Sequence, residues 1–167
     1  ASSDKTLTKT AALVSPARIK PARPFEKSKG LLPIPVRGRR IKEFGTPNEY
    51  GGKSKGLLIE SRSAAQITSP SDGWVVYAGV FRSYGQLLII NAGGGYHILL
   101  AGMKNIDVSE GQFVLAGEPV ATMGPRAAKA KDSQQGPLPV LYVEFRKDGH
   151  PINPGPWWSD GPEKAQG

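Results

Sequence analysis

From Gly51 onward the apolar residues fall in runs of four to seven, separated by glycine or Asp-Gly pairs, a pattern that predicts strands and turns rather than helices. The predicted strands are Gly56–Glu60, Gln66–Ser69, Gly73–Val80, Gln86–Asn91, Tyr96–Ala101, Gln112–Leu115, Pro119–Met123, Val140–Arg146 and His150–Ile152. Within Val140–Arg146 the alternation is clean. Successive strand residues point to opposite sides, so Val140, Tyr142, Glu144 and Arg146 share one face and leave Leu141, Val143 and Phe145 for the core.

Upstream of this region the pattern weakens. Leu31–Val36 is a short apolar piece whose prolines confine it to a sheet edge or an extended pass. The basic turn Arg37-Gly38-Arg39-Arg40 and a short strand, Ile41–Phe44, follow it. Residues 1–30 have no sustained period and are expected to form a flexible basic tether. The domain is then expected over 31–158, with its core from about residue 45, and 159–167 as a C-terminal tail. Pro125–Pro139 reads as a mobile polar insertion, and Trp157-Trp158 as an aromatic plug of the core.

Composition narrows the class. A chain of 167 residues with 38% hydrophobic content builds one modest core, and its 21 glycines and 15 prolines fit a turn-rich β protein. The absence of cysteine excludes a disulfide framework, a thiolate metal site and a cysteine nucleophile. No apolar run reaches the ~18 residues of a membrane-spanning helix. Ala1–Thr10 is too polar for a secretory signal, so a soluble chain is expected, with any export signal upstream.

The net charge of +8 suggests nucleic acid until it is divided by position. Residues 1–55 hold 13 basic and 4 acidic side chains, whereas residues 56–167 hold 9 and 10. The basicity belongs to the N-terminal third and comes with no aromatic platform or recognised nucleic-acid module, so no nucleic-acid partner is expected.

Three stretches together resemble one family. Ser69-Pro70-Ser71-Asp72-Gly73-Trp74-Val75-Val76-Tyr77-Ala78-Gly79 is similar to its AP-x-DG-x-V-x-x-AG strand pair. Val108-Ser109-Glu110-Gly111-Gln112-Phe113-Val114-Leu115-Ala116-Gly117-Glu118-Pro119-Val120 is similar to its V-x-x-GQ-x-V-x-AG-x-x-I hairpin, and Leu141-Tyr142-Val143-Glu144-Phe145-Arg146-Lys147-Asp148-Gly149 to its HLHFEIRKDG strand. The family is the LytM, or lysostaphin-like, zinc peptidase domain. The resemblance covers residues 45 to 158 and implies an all-β antiparallel fold with glycine-rich hairpins that acts on peptidoglycan.

Active members hold zinc through His-x-x-x-Asp and His-x-His, with a further histidine in a YAHLS segment. Such a metal takes three protein ligands and leaves room for the water it acidifies. Aligned on the neighbouring residues, the corresponding positions here are Ser54, Leu58, Val140, Tyr142 and Gly102. The resemblance therefore implies a degenerate site with no metal, no cofactor and no catalysis. His97 and His150, the chain's two histidines, fall on none of these positions and read as ordinary half-buried or surface imidazoles.

Ser54-Lys55-Gly56, Leu141–Arg146, Asn153–Trp158 and Phe81–Asn91 resemble in particular the EnvC-type branch, murein hydrolase activators of Gram-negative bacteria. That likeness implies a periplasmic location and a role in septal cell-wall cleavage during division. It also implies an upstream coiled coil that this chain lacks, as a C-terminal piece would. The implied partner is an N-acetylmuramoyl-L-alanine amidase whose regulatory helix would enter the former metal groove.

On this reading Leu58, Leu87, Leu100 and Tyr142 would line the groove, and Lys55, Arg82, Tyr84 and Arg146 would rim it. An apolar trough with cationic margins suits an amphipathic helix bearing carboxylates. Two other readings stay open at this point: a peptidoglycan-binding module without hydrolysis, and an enzyme with an unorthodox zinc site. A plainer packing role is also open, with Tyr142 filling the space of the metal and Arg146 pairing with Glu144.

Overall fold

The computed structural model describes residues 20–127 and 136–159; residues 1–19, 128–135 and 160–167, which include parts of the expected tether, insertion and tail, lie outside the described residues. Among the described residues the regular structure is strand, with three single-turn 3-10 segments at Phe25–Lys27, Arg82–Tyr84 and Gly155–Trp157. The strands are β1 (Arg39–Lys42), β2 (Leu57–Glu60), β3 (Gln66–Thr68), β4 (Gly73–Phe81), β5 (Gly85–Gly93), β6 (Tyr96–Ala101), β7 (Asn105–Ile106), β8 (Phe113–Val114), β9 (Pro119–Thr122), β10 (Val140–Lys147) and β11 (His150–Ile152).

An eight-stranded sheet runs β1-β2-β10-β6-β5-β4-β8, with β11 beside β10, and a three-stranded sheet runs β3-β9-β7. The named strand pairs are antiparallel. Most of this layout follows from the apolar runs. Two local expectations are corrected. The first strand lies at Arg39–Lys42 rather than Ile41–Phe44, because Arg39 and Arg40 pair with Glu60 and Ile59 instead of turning. β7, only two residues long, carries no apolar run and gives no sequence signal.

One face of the large sheet packs into the core. Leu57, Ile59, Leu88, Ile90, Ile98, Leu100, Leu141, Val143 and Phe145 meet Ile67, Val120, Ala121 and Met123 from around the small sheet in one continuous apolar cluster. Burying each large side chain contributes about 1.5–3 kcal/mol, so this face anchors the fold. Trp157 and Trp158 are 4% and 3% exposed and close the core, as their sequence position predicts.

The tether expectation is corrected for residues 20–30. Phe25, 3% exposed, has its ring centroid 4.8 Å from that of Tyr96, 5.4 Å from Phe145 and 5.2 Å from Trp157. The indole Nε1 of Trp157 donates to the Phe25 carbonyl at 2.9 Å, and the amide of Ala22 donates to the Asp72 carboxylate at 3.0 Å. A single aromatic anchor has no period, and so a search for periodicity passes over it. The following piece, Leu31–Val36, is the expected extended pass: Leu32 bridges Trp158, and the Thr68 amide donates to the Pro35 carbonyl at 2.9 Å.

Candidate functional site

The other face of the large sheet is built by strand register. Tyr142 stands between Leu58 of β2 and Ala101 of β6; Leu58 is flanked by Lys42 of β1, and Ala101 by Leu87 of β5. The next rung runs Glu144, Leu99, Ile89 and Tyr77, and the one after it Arg146, His97, Asn91 and Trp74. Leu87, Leu99 and Ala101 are 2%, 7% and 4% exposed and form a second apolar cluster against which Tyr77, Ile89 and Tyr142 pack.

Glu144 sits among these groups with 1% exposure. A carboxylate taken out of water needs partners for both oxygens, and it has them. The Tyr142 hydroxyl donates to Oε1 at 2.5 Å, and Nε of Arg146 donates to Oε2 at 2.5 Å. Burial, and after it the hydrogen bond and negative charge of Glu144, push the Tyr142 phenol far above its ordinary value. The hydroxyl therefore stays protonated and remains a donor.

An aromatic wall borders the cluster. Ring centroids lie 5.6 Å apart for Tyr77 and Phe81, 6.1 Å for Phe81 and Tyr84, and 6.3 Å for Tyr84 and Tyr142. Arg82, at the turn between β4 and β5, lies 6.0 Å over the Phe81 ring. On the opposite side Gly56 permits close approach: a Cβ there would lie 2.8 Å from Cε1 of Tyr142 and would collide with the Val143 carbonyl oxygen. Gly102 makes room in the same way, with φ +106° and no space for a Cβ beside the Val140 carbonyl.

The structure gathers most of the residues singled out from the sequence. Leu58, Val140 and Tyr142 lie on the open face, Gly102 abuts Val140, and the Ser54 hydroxyl donates to the Gly56 carbonyl at 2.7 Å, one residue before β2 begins its pairing. Leu87, Tyr84 and Arg146 join them, while Lys55 and Arg82 are exposed beside β2 and at the β4–β5 turn.

Leu100 is a correction: it is fully buried in the main core, and its neighbours Leu99 and Ala101 occupy the open face. The run Ile98–Ala101 is apolar on both faces, with His97 alone marking the open side; pairing of Ala101 with Tyr142 decides the parity. The plainer reading of the sequence, Arg146 pairing with Glu144, is what the structure shows; what the sequence did not signal is that the same carboxylate also accepts the Tyr142 hydroxyl, although alternation placed all three on one face.

The donor set does not fit zinc. Leu58, Val140 and Gly102 offer no side-chain donor atom, the Ser54 hydroxyl serves a backbone carbonyl and the Tyr142 hydroxyl serves Glu144. Among the described residues no group of three or more His, Cys, Asp or Glu side chains is placed to hold a metal ion. His97 is half-buried on the open face opposite Arg146, and His150 is exposed opposite Lys147.

Comparison with known proteins gives a consistent picture. The model of Peptidase family M23 matches residues 52–154. The murein hydrolase activator EnvC of Escherichia coli is 29% identical over 123 residues, covering 74% of this chain and 28% of EnvC. The murein hydrolase activator NlpD of Escherichia coli is 34% identical over 121 residues, covering 72% of this chain and 29% of NlpD. This chain thus spans less than a third of the length of these curated relatives. Among solved structures, Csd3 of Helicobacter pylori superposes with a TM-score of 0.62 at 24% identity, over 78% of this chain and 35% of Csd3, a likeness of fold.

Proposed function

We propose that this chain, which belongs to Peptidase family M23, serves the cell wall as a murein hydrolase activator rather than as a hydrolase. The partner is an N-acetylmuramoyl-L-alanine amidase in the bacterial cell envelope, and its regulatory helix lies in the trough over Leu58, Tyr142, Ala101 and Leu87. The observation that carries this reading is the second apolar cluster of the large sheet, with Tyr77, Ile89 and Tyr142 packed against it and Lys42 and Arg146 in the rungs around it.

The arrangement suits a helix better than a small substrate. Tyr77, Ile89 and Tyr142, backed by the buried Leu87, Leu99 and Ala101, present a firm apolar surface, the Tyr77–Phe81–Tyr84–Tyr142 wall gives it one side, and cations stand at its margins. An amphipathic helix meets such a surface with apolar anchors at i, i+3 and i+4 and with carboxylates toward the rim. Activation then needs only that the trough bind the amidase's open state more tightly than its closed one. Among the described residues no helix is long and apolar enough to cross a membrane.

The test is dye release from labelled sacculi by a cell-wall amidase, with and without this chain. The wild type should stimulate release, and Tyr142→Ala should abolish stimulation while circular dichroism stays native. Truncating a hot-spot tyrosine costs about 2 kcal/mol or more, over tenfold in affinity. Absence of stimulation by the wild type, or full stimulation by both Tyr142→Ala and Leu58→Glu, would refute the reading.

A further inference from the structure

Past its pairing with β8 at Gly73 and Trp74, β4 runs on with β5 as a two-stranded hairpin that ends at the Arg82–Tyr84 turn. Residues opposite one another share a face, so the register assigns the two sides of this hairpin. Ala78, opposite Leu88, packs against the main core, and Val80, opposite Gln86, follows it on that side. Tyr77 and Phe81, with their rings in contact, take the other side. The hairpin outruns the core beneath it: Val80 is 71% exposed, Phe81 39% and Tyr84 37%. Apolar side chains therefore protrude from both sides of one tip.

We infer that this tip enters the headgroup layer of an anionic lipid bilayer, a contact that goes beyond the activator reading and does not depend on it. A protein partner covers one side of a hairpin, whereas a lipid interface surrounds a tip and buries Val80 together with the Phe81–Tyr84 side. The charge agrees with this. Residues 73–106 contain no Asp or Glu, and Arg82 stands at the turn itself. Among the described residues its guanidinium meets no carboxylate. Lys104 is exposed nearby, its carbonyl accepting the side-chain amide of Gln86 at 3.3 Å. Arginine and tyrosine around a small apolar point are the types that settle at headgroup depth, ring and stem inward and polar ends in water.

Two other occupants fit less well. An added β-strand would need the free edge of β4, yet the Ala78 amide there donates to the Glu110 carboxylate at 3.4 Å and the Val80 carbonyl accepts the Tyr77 hydroxyl at 2.6 Å. The edge is closed to pairing while the Val80 side chain stays outside. A second copy of the chain would need more surface, since three side chains supply a small part of the roughly 1,200–2,000 Å² that a stable protein interface buries.

The experiment is binding of the whole chain to vesicles of phosphatidylglycerol and phosphatidylcholine, at a salt concentration that screens attraction of the basic N-terminal third. Phe81 and Tyr84 also border the trough, so the substitutions are placed at Val80. Val80→Trp should bind about fivefold or more tightly than wild type, and Val80→Asp about fivefold or more weakly. With brominated acyl chains in the vesicles, the added indole should be quenched beyond the loss seen for the native tryptophans. Both variants change an exposed side chain, so circular dichroism should match wild type. Equal binding by the three proteins, no binding by wild type and Val80→Trp alike, or an indole that brominated lipid leaves unquenched would each overturn the inference. So would self-association of the wild type without vesicles that Val80→Asp abolishes, which would assign the tip to a second copy.

Discussion

Tyr142 and Glu144, two residues apart on β10, are joined hydroxyl to carboxylate at 2.5 Å, and the pair fixes both a ring position and a buried charge. Glu144 is 1% exposed, so its second oxygen needs Arg146 as well. The open face is therefore organised from beneath by a charged hub, with Tyr142 and Arg146 pinned in place before any partner arrives. Such pinning lowers the side-chain entropy lost on binding.

Arg146→Ala should destabilise the domain, because it leaves Glu144 with one partner. Breaking a buried pair costs about 3–5 kcal/mol, and the value here should lie below that range since the Arg146 side chain is 35% exposed. Adding Glu144→Leu should recover part of the loss. Urea unfolding of the single and double variants measures the coupling, and strict additivity would show that the two side chains do not act together.

At alkaline pH the domain should lose stability through Tyr142. Its phenol is raised in the folded state, first by burial and then by Glu144, so the unfolded chain releases that proton at a lower pH than the folded one. The contribution is complete below the ordinary tyrosine value of about 10 and declines as pH rises beyond it. Tyr142→Phe should fall less steeply than wild type in melting temperature over that alkaline range. Parallel curves would contradict the shift.

Phe25→Ala should cost about 3–5 kcal/mol, the usual penalty for emptying a core aromatic site, since its ring contacts Tyr96, Phe145 and Trp157. A chain beginning at Lys20 should melt like the full chain, whereas one beginning at Gly30 should melt several degrees lower. Equal melting temperatures for the two truncations would remove Phe25 from the fold's essential contacts.

Gly102→Ala should destabilise by about 1–3 kcal/mol, because the backbone there has φ +106° and a Cβ would strike the Val140 carbonyl. Any longer side chain meets the same backbone obstacle, an imidazole included. Thermal unfolding of Gly102→Ala and Gly102→His measures this, and wild-type melting by either variant would show that the loop moves freely.

Nearly all the strands were legible in the sequence, because short apolar runs between glycine-rich turns leave few other folds, and strict alternation on Val140–Arg146 separated its two faces. The motifs of residues 69–79, 108–120 and 141–149 carried the family. What the sequence left undecided depended on contacts between distant segments. The run Ile98-Leu99-Leu100-Ala101 is uniformly apolar, and only pairing of Ala101 with Tyr142 sends Leu99 to the open face and Leu100 to the core. Phe25 stands alone in a polar stretch, and its burial follows from where Tyr96, Phe145 and Trp157 leave a gap. Local pattern records which way a strand faces when its two sides differ in polarity; where both sides are apolar, or the partners are distant, only tertiary packing supplies the difference.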